Sequence, residues 1–404
     1  MLDLKSIQNA KKRVQKVAYK TPFSYAPILS EMSGYEVYLK KENLQITGAF
    51  KLRGAFNKIA TLIESGKDIE GVVAASAGNH AQGVAYSAKY FNIKATIFMP
   101  ENTPLTKVEG VKKYGAKVVL KGVNYDEAYK LAIDFATKNS LEFVHPFTDE
   151  EVIAGQGTIA LEMLEEQKDL DAIIVPVGGG GLISGIATAT KAINPDIKIV
   201  GIASGGASAM KNSFDIKKAT STNSVRTIAD GIAVRDASPI TLEYILKSVD
   251  DIKLVSEDEI AEAILYLLEK QKLLVEGAGA VGVSAVLHNK LDLPKGSKVG
   301  IVLSGGNIDV TMLSVIIEKG LVKSKRKMKL SVVMVDKPGS LMEFTKLLTQ
   351  VGANIVQIGY DRTSIDLEFG DAVVSVHLET KGEEHQQQIR DILTKSGFEF
   401  KEEH

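Results

Sequence analysis

The 404-residue chain contains no cysteine and no tryptophan, and its net charge is only −1. Without cysteine there is neither a disulfide nor a thiolate metal site, which suits a reducing compartment. Without a strong net charge, no overall field attracts nucleic acid or an anionic membrane surface. The sequence also lacks an apolar run long enough to span a bilayer, and no apolar signal core follows its first residue. We therefore expect a soluble cytoplasmic protein with no nucleic-acid or membrane partner.

The remaining composition is that of an ordered protein, with 45% hydrophobic and 25% charged residues. At this length, two or three folding units are expected. Up to about residue 320, short apolar runs alternate with longer amphipathic segments. Strands are predicted at residues 72–75, 95–99, 117–120, 172–177, 197–202 and 298–303, and helices at 81–91, 125–138, 158–166, 183–193 and 257–272. This alternation predicts α/β architecture, with parallel sheets covered by helices on both faces.

The character of the chain changes at the basic run of residues 323–329. The run contains no interleaved aromatic residues, which favours a solvated linker over a nucleic-acid patch. After it, the pattern predicts strand 330–335, helix 340–351, strands 354–360 and 372–379, helix 383–396 and strand 398–401. This β-α-β-β-α-β order is ferredoxin-like. We predict one domain at 1–322, a linker at 323–329 and a second domain at 330–404.

Lys51 stands in the apolar run Gly48-Ala49-Phe50-Lys51-Leu52, near a predicted helix start. Burial of a lysine among apolar neighbours favours its neutral form, because the charged amine loses its hydration. The neutral amine is the nucleophile that forms a Schiff base with a carbonyl group. Lys51 is therefore a candidate catalytic residue, although most lysines of such a chain are solvated surface groups.

Four consecutive glycines, Gly178 to Gly181, lie between a predicted strand and a predicted helix. Their backbone N–H groups have no Cβ in front of them, and the following helix adds the positive end of its dipole. This arrangement binds phosphate. The run does not continue into the Gly-Lys-Ser/Thr of a P-loop and contains no in-register Gly-x-Gly-x-x-Gly. A tight turn without a ligand is the alternative interpretation.

Two further motifs complete the pattern: Ser76-Ala77-Gly78-Asn79-His80 and Ser304-Gly305-Gly306-Asn307. Together with the Lys51 and glycine motifs, in this order, they resemble the pyridoxal-phosphate enzymes of fold type II (tryptophan synthase β-like). The closest resemblance is to the threonine ammonia-lyases, or threonine dehydratases, and it covers nearly all of residues 1–320. It implies two lobes, the smaller near residues 45–150, with pyridoxal 5′-phosphate in the cleft between them.

The resemblance also implies roles for individual residues. Lys51 would carry the cofactor and act as the base, beside Phe50. The loop of Ser76, Ala77, Gly78, Asn79 and His80 would hold the substrate carboxylate, and Asn79 would also bond the 3′-oxygen of the cofactor. The phosphate would lie on Gly178, Gly179, Gly180, Gly181 and Leu182, and Ser304 would face the pyridine nitrogen. The implied reaction converts L-threonine to 2-oxobutanoate and ammonia, for isoleucine biosynthesis or threonine breakdown, with L-serine as a second substrate.

Serine racemase, which shares the fold, is the first alternative. Racemases of this family carry a serine where this chain has Ala77, and they bind a cation through acidic residues in a loop that corresponds to residues 203–209. That loop contains no carboxylate here, and no other metal-ligand spacing occurs, so no metal is predicted. The second alternative is a non-catalytic amino-acid sensor, which the presence of Lys51 opposes.

The second domain resembles an ACT domain because of its topology and its Asp336-Lys337-Pro338-Gly339-Ser340-Leu341 turn. The resemblance implies regulation by a free amino acid. Proline fixes the backbone, glycine permits close approach, and a helix start offers N–H groups. The predicted effector residues are Asp336, Pro338, Gly339, Ser340 and Asn354. A homodimer or homotetramer is also expected, and a purely structural domain is the alternative.

Overall fold

The computed structural model describes residues 2–363 and 365–403. Its contacts divide the chain into two compact units, between Asp309 and Val310. None of the helices in the described ranges is long and apolar enough to cross a membrane.

The first unit contains two sheets. Its strands are β1 (Phe23–Tyr25), β2 (Glu36–Lys40), β3 (Gly71–Ala75), β4 (Lys94–Met99), β5 (Lys117–Leu120), β6 (Glu142–Phe143), β7 (Ala172–Pro176), β8 (Lys198–Ser204), β9 (Asp251–Val255) and β10 (Lys298–Val302). The larger sheet has the order β1-β2-β10-β7-β8-β9, and the smaller has the order β5-β4-β3-β6. Adjacent strands run parallel except for the β1–β2 pair. The two predicted α/β lobes are therefore confirmed.

Helices cover both sheets. They are α1 (Leu4–Val14), α2 (Pro27–Ser33), α3 (Lys51–Glu64), α4 (Asn79–Tyr90), α5 (Leu105–Lys112), α6 (Tyr125–Lys138), α7 (Glu150–Glu166), α8 (Gly181–Ile193), α9 (Ala209–Ile216), α10 (Pro239–Ser248), α11 (Glu257–Tyr266) and α12 (Gly277–Leu287). A π-helical segment, Leu267–Gln271, extends α11. Side-chain caps fix several helix starts, such as Asn124 before α6 and Asp149 before α7.

The central strands β3 and β7 are buried at every position. A parallel sheet with both faces covered requires this, so such strands consist of continuous apolar residues rather than alternating ones. Helix α4 begins four residues after the end of β3, and α8 begins five residues after the end of β7. Two helix N-termini and their loops therefore lie at the carboxyl ends of the parallel strands, where open α/β sheets bind ligands.

The second unit consists of α13 (Val310–Lys323), β11 (Lys327–Val335), α14 (Ser340–Gln350), β12 (Asn354–Asp361), β13 (Asp371–Glu379), α15 (Glu383–Lys395) and β14 (Glu399–Glu403). Its antiparallel sheet has the order β12-β13-β11-β14. The residues after α13 thus follow the predicted β-α-β-β-α-β order. The core packs one face of β11 against Phe344, Leu348, Ile389 and Leu393.

The predicted linker, residues 323–329, is not a separate segment in the structure. Residues 327–329 belong to β11, because the inward alternation of that strand already begins at Met328, which is buried, while its basic neighbours lie on the other face. Helix α13 belongs to the second unit, so the division lies at 309/310 rather than at 322/323.

Candidate active site

A cavity of about 890 Å³ lies in the first unit, beside residues that follow β3, β7 and β10. Its lining includes Phe50, Lys51, residues 76–80, residues 178–182, Ser304 and Asn307. Four motifs that are separated by as many as 253 positions, from Lys51 to Ser304, therefore share one site. The cavity is large enough for a cofactor together with a small substrate.

Lys51 is the first residue of α3 and follows Phe50, the N-cap residue. Its Nζ donates a hydrogen bond to the carbonyl oxygen of Pro146 at 2.8 Å and lies 5.3 Å from the centre of the Phe50 ring. Burial lowers the pKa of Lys51 to about 8, although the Glu276 carboxylate acts in the opposite direction. At pH 7 the neutral amine is therefore roughly three-hundredfold more abundant than in an ordinary lysine.

The glycine loop, residues 178–182, leads into α8. Gly180 has a φ of 88°, which favours glycine. A Cβ on Gly179 would lie 2.5 Å from the Phe147 ring, so close packing also requires glycine there. Within the described residues, no protein acceptor is found for the backbone N–H groups of this loop. These donors, at the start of a helix, meet the requirements of a phosphate group.

The asparagine loop, residues 76–80, connects β3 to α4. Ser76 Oγ accepts a hydrogen bond from the backbone N–H of Gly78 at 3.1 Å. Asn79 Nδ2 donates to Glu276 Oε1 at 2.7 Å, and Asn79 Oδ1 accepts from Asn307 Nδ2 at 2.8 Å. The loop is therefore held from two sides before any ligand binds.

Two neutral histidines line the same cavity. His80 Nε2 donates to the Val144 carbonyl at 2.8 Å, since a carbonyl oxygen only accepts. Its buried Nδ1 has no hydrogen-bond partner. His145 Nδ1 accepts from the backbone N–H groups of Phe147 and Thr148. Burial, reinforced by the charge of Lys51, lowers the pKa of His80 to about 3 and that of His145 to about 4.

Ser304 follows β10 and is buried. Its carbonyl oxygen accepts a hydrogen bond from the Phe50 backbone N–H at 3.0 Å, which ties the end of β10 to the start of α3. The Ser304 hydroxyl has no protein partner in the described ranges, so it is available to a ligand in the cavity. A hydroxyl can donate to a neutral ring nitrogen without adding charge to the site.

Several charged residues of the cavity lie outside the predicted motifs, and Glu276 is the most prominent. Two ion pairs also join the smaller lobe to the segment of residues 230–236: Lys107 with Asp230 at 2.9 Å and Asp126 with Arg235 at 2.7 Å. All of these residues line the cavity. Each partner is remote in sequence, so no local motif signals the pair.

In the segment of residues 203–209, which has no carboxylate of its own, Ser204 contacts a carboxylate from elsewhere in the chain. Glu257 Oε1 accepts from Ser204 Oγ at 2.5 Å, and its Oε2 accepts from the Ile228 backbone N–H at 2.6 Å. Among the residues that the structure describes, no group of three His, Cys, Asp or Glu side chains is arranged to hold a metal ion.

The predicted effector residues divide into two groups in the second unit. Asp336 accepts a hydrogen bond from Tyr360 Oη at 2.8 Å and pairs with Arg362 at 3.3 Å. Gly339, with a φ of 99°, caps α14, which begins at Ser340 after Pro338. The prediction that Asn354 lies at the same end is wrong. Asn354 and Lys327, the first residue of β11, both pair in register with Glu379 of β13. Asp336 follows the last residue of β11 and therefore lies at the opposite end of the sheet.

Comparison with known proteins identifies the family. The family of pyridoxal-phosphate dependent enzymes matches residues 14–305. An L-threonine ammonia-lyase of Thermotoga maritima is 47% identical, over 99% of each chain. A solved structure of threonine deaminase isoform 2 from Solanum lycopersicum matches with a TM-score of 0.74 and 37% identity, over 78% of this chain and 86% of the other. Maize serine racemase matches with a TM-score of 0.74 and 36% identity, over 80% of this chain and 98% of its own.

Proposed function

The chain belongs to the family of pyridoxal-phosphate dependent enzymes, and we propose that it deaminates L-threonine to 2-oxobutanoate and ammonia. L-Serine is a second, smaller substrate of the same reaction. The observation that carries the proposal is the environment of Lys51, a partly buried lysine with a pKa of about 8 that shares one cavity with the glycine loop. The 47% identity to a threonine ammonia-lyase over almost the whole chain supports the choice of substrate.

The residues of the cavity fit the cofactor. The free N–H groups of the glycine loop match a phosphate, the hydroxyl of Ser304 matches a pyridine nitrogen, and Asn79 has an N–H for the 3′-oxygen. Lys51 would hold the cofactor covalently, beside Phe50. Each assignment extends a contact or an available donor seen in the structure.

When bound, pyridoxal phosphate supplies an aldehyde for amines and a ring that withdraws electrons from the substrate α-carbon. The residues of the chain bind and transfer protons around it. The asparagine loop and the start of α4 offer backbone N–H groups to the substrate carboxylate. Lys51 Nζ, once released by the incoming amino group, removes the α-proton, because its pKa of about 8 suits a base at neutral pH.

Loss of the β-hydroxyl completes the reaction. The proton held on Lys51 Nζ is delivered to this hydroxyl, which leaves as water. The remaining enamine takes up one water molecule and divides into 2-oxobutanoate and ammonia. The net change removes one ammonia from threonine, and both the base and the acid are the same nitrogen atom.

Elimination is favoured over racemisation by the composition of the site. Racemisation needs an acid on the face opposite Lys51, and the family's racemases place a serine at the position of Ala77. Ser304 would add no negative charge beside the ring nitrogen, so the bound ring would withdraw electrons less strongly than beside a carboxylate, which favours loss of the β-substituent over reprotonation. A racemase is therefore the second candidate, supported by the similarity to maize serine racemase.

The second unit is proposed to be an ACT-type regulatory domain for a branched-chain amino acid, isoleucine or valine. The turn from Asp336 to Ser340 supports this, because Gly339 leaves the start of α14 open to a carboxylate. Regulation requires two states of the protein that bind the effector with different affinities. The same proposal includes a homodimer or homotetramer located in the cytoplasm.

The experiment is a turnover assay on the purified full-length protein with added pyridoxal phosphate. L-Threonine should yield 2-oxobutanoate and ammonia in equal amounts, L-serine should react more slowly, and D-serine should not accumulate. A protein that binds no cofactor and remains colourless would be a sensor rather than an enzyme. Rapid formation of D-serine would favour the racemase.

A further inference from the structure

Glu276 is a buried carboxylate outside the four motifs. It is the N-cap residue of α12, yet its side chain makes no capping bond to that helix. Its Oε1 accepts instead from Asn79 Nδ2 at 2.7 Å, across 197 positions of sequence. Two glycines make room for it, since a Cβ would lie 2.5 Å from Glu276 Oε1 at Gly305 and 3.2 Å at Gly231. The fold thus places this carboxylate against the asparagine loop.

The hydrogen bonds around Asn79 have one possible direction. Asn307 Nδ2 donates to the Thr47 carbonyl and to Asn79 Oδ1, both at 2.8 Å. Because a carbonyl oxygen only accepts, the amino group of Asn307 cannot be exchanged with its oxygen. A carboxylate also only accepts, so the amino group of Asn79 faces Glu276. One N–H of Asn79 then remains without a protein partner in the described residues.

We propose that Glu276 is a positioning residue: it fixes the Asn79 carboxamide so that the remaining N–H is available to an oxygen of the bound cofactor. The proposal rests on the function proposed above. A neutral apolar side chain at this position would leave the Asn79 amide held by Asn307 alone, and its N–H groups would be less well ordered before a ligand binds.

The charges around Glu276 support this role. Burial, followed by the charge of Asp230, raises the pKa of Glu276 to about 7, against the opposing effects of Asn79, Lys107 and the Asn307 backbone. In return, the Glu276 carboxylate raises the pKa of Lys51. Loss of the Glu276 charge should therefore make Lys51 less basic.

Two substitutions separate orientation from charge. Glu276→Gln keeps an oxygen acceptor for Asn79 and removes the charge, whereas Glu276→Leu removes both. Glu259→Gln is the control, because Glu259 is also a carboxylate at a helix start but bonds Ser256 and Lys290 outside the cavity. Circular dichroism confirms that each variant is folded.

Two measurements are made on the cofactor-free proteins. The first is the affinity for pyridoxal phosphate, from absorbance titration. The second is the pKa of Lys51, from the pH dependence of its acylation, resolved by mass spectrometry. Glu276→Leu should bind the cofactor about tenfold or more weakly. Glu276→Gln should bind close to the wild type, and its Lys51 should titrate at lower pH. Glu259→Gln should match the wild type in both measurements.

The outcomes separate the two proposals. If folded Glu276→Leu matches the wild type in cofactor affinity, the positioning role is overturned. If Glu276→Leu does not fold, a loss of cofactor affinity in Glu276→Gln, which keeps the acceptor for Asn79, overturns the positioning role instead. A wild-type protein that binds no cofactor would instead overturn the proposed function, whatever the variants show.

Discussion

The guanidinium of Arg53 donates one hydrogen bond to each oxygen of the Glu162 carboxylate, at 2.6 and 2.9 Å. Glu42 accepts two more bonds from the same group, each at 2.8 Å, and Lys40 Nζ reaches Glu162 at 2.5 Å. Arg53, Lys40 and Glu42 are fully buried. Because Arg53 stands two residues after Lys51, this balanced group of charges anchors the start of the helix that carries the reactive amine.

Removal of the Arg53 charge should strongly destabilise the protein. Arg53→Met leaves two buried carboxylates without their main partner, which should lower the free energy of unfolding by about 3–5 kcal/mol. Urea denaturation of the cofactor-free protein measures this loss. Lys20→Met is the control, because Lys20 is half exposed and pairs with Glu166 at 3.3 Å, so its loss should cost about 1 kcal/mol or less. Equal losses in the two variants would show that the buried group contributes no more than a surface pair.

The two histidines of the cavity should make stability depend on pH. The pKa of His145 is lowered to about 4 in the folded protein, so the unfolded chain binds a proton that the folded chain does not. This contribution is present above pH 6.5 and is lost as the pH falls through 4. His145→Gln should reduce the slope of the unfolding free energy by up to about 1.4 kcal/mol per pH unit in that window. Denaturation of the cofactor-free variants at several pH values gives the slope, and an unchanged slope would contradict the assignment.

Ala77 should limit racemisation. Ala77→Ser adds a hydroxyl to the asparagine loop, where it can supply a proton to the face opposite Lys51. The expected result is a measurable rise in the conversion of L-serine to D-serine, with deamination reduced at most moderately. Chiral chromatography of the reaction mixture measures both products. If the unmodified protein already forms D-serine as fast as it deaminates L-serine, the distinction drawn from Ala77 fails.

Binding of the amino-acid effector should depend on residues at the Asp336 end of the ferredoxin-like sheet. Asp336→Ala removes the carboxylate at the turn before α14 and should weaken binding of isoleucine or valine about tenfold or more. Calorimetry on the full-length protein measures the affinity. Asn354→Ala is the matched control, since the sheet register places Asn354 at the opposite end. If neither amino acid binds, or if both variants bind equally well, the second unit acts only in assembly.

The sequence predicted the parts of the site that are encoded locally. Lys51 and the glycine loop were identified because a lysine among apolar neighbours, or a run of glycines, can be recognised from a few consecutive residues. Most strand and helix positions followed from the periodicity of the apolar residues. Glu276 was not identified, since its partner Asn79 is far away in sequence and only the fold brings them together.

The errors have physical causes as well. The helix predicted at 158–166 in fact begins at Glu150. Its first turns were missed because they are buried all round and show no amphipathic period. Gly155 and Gly157 pack there against the backbones of Arg53 and Gly185. Helix α12, rich in glycine and alanine, was missed for the same reason. Asn354 was misplaced because a β-α-β connection between parallel strands returns the chain to the opposite end of the sheet.

The central claim, that Lys51 carries the cofactor, can be tested most directly by reduction of the loaded protein with borohydride, followed by peptide mapping. The account predicts a phosphopyridoxyl group on the peptide that contains Lys51 and none on Lys295. Lys295 is the internal comparison, because its Nζ also bonds a backbone carbonyl and lies 5.0 Å from the centre of an aromatic ring, but outside the cavity. Lys51→Ala should yield no labelled peptide and no visible absorbance band. Label recovered on any lysine other than Lys51 would contradict the account.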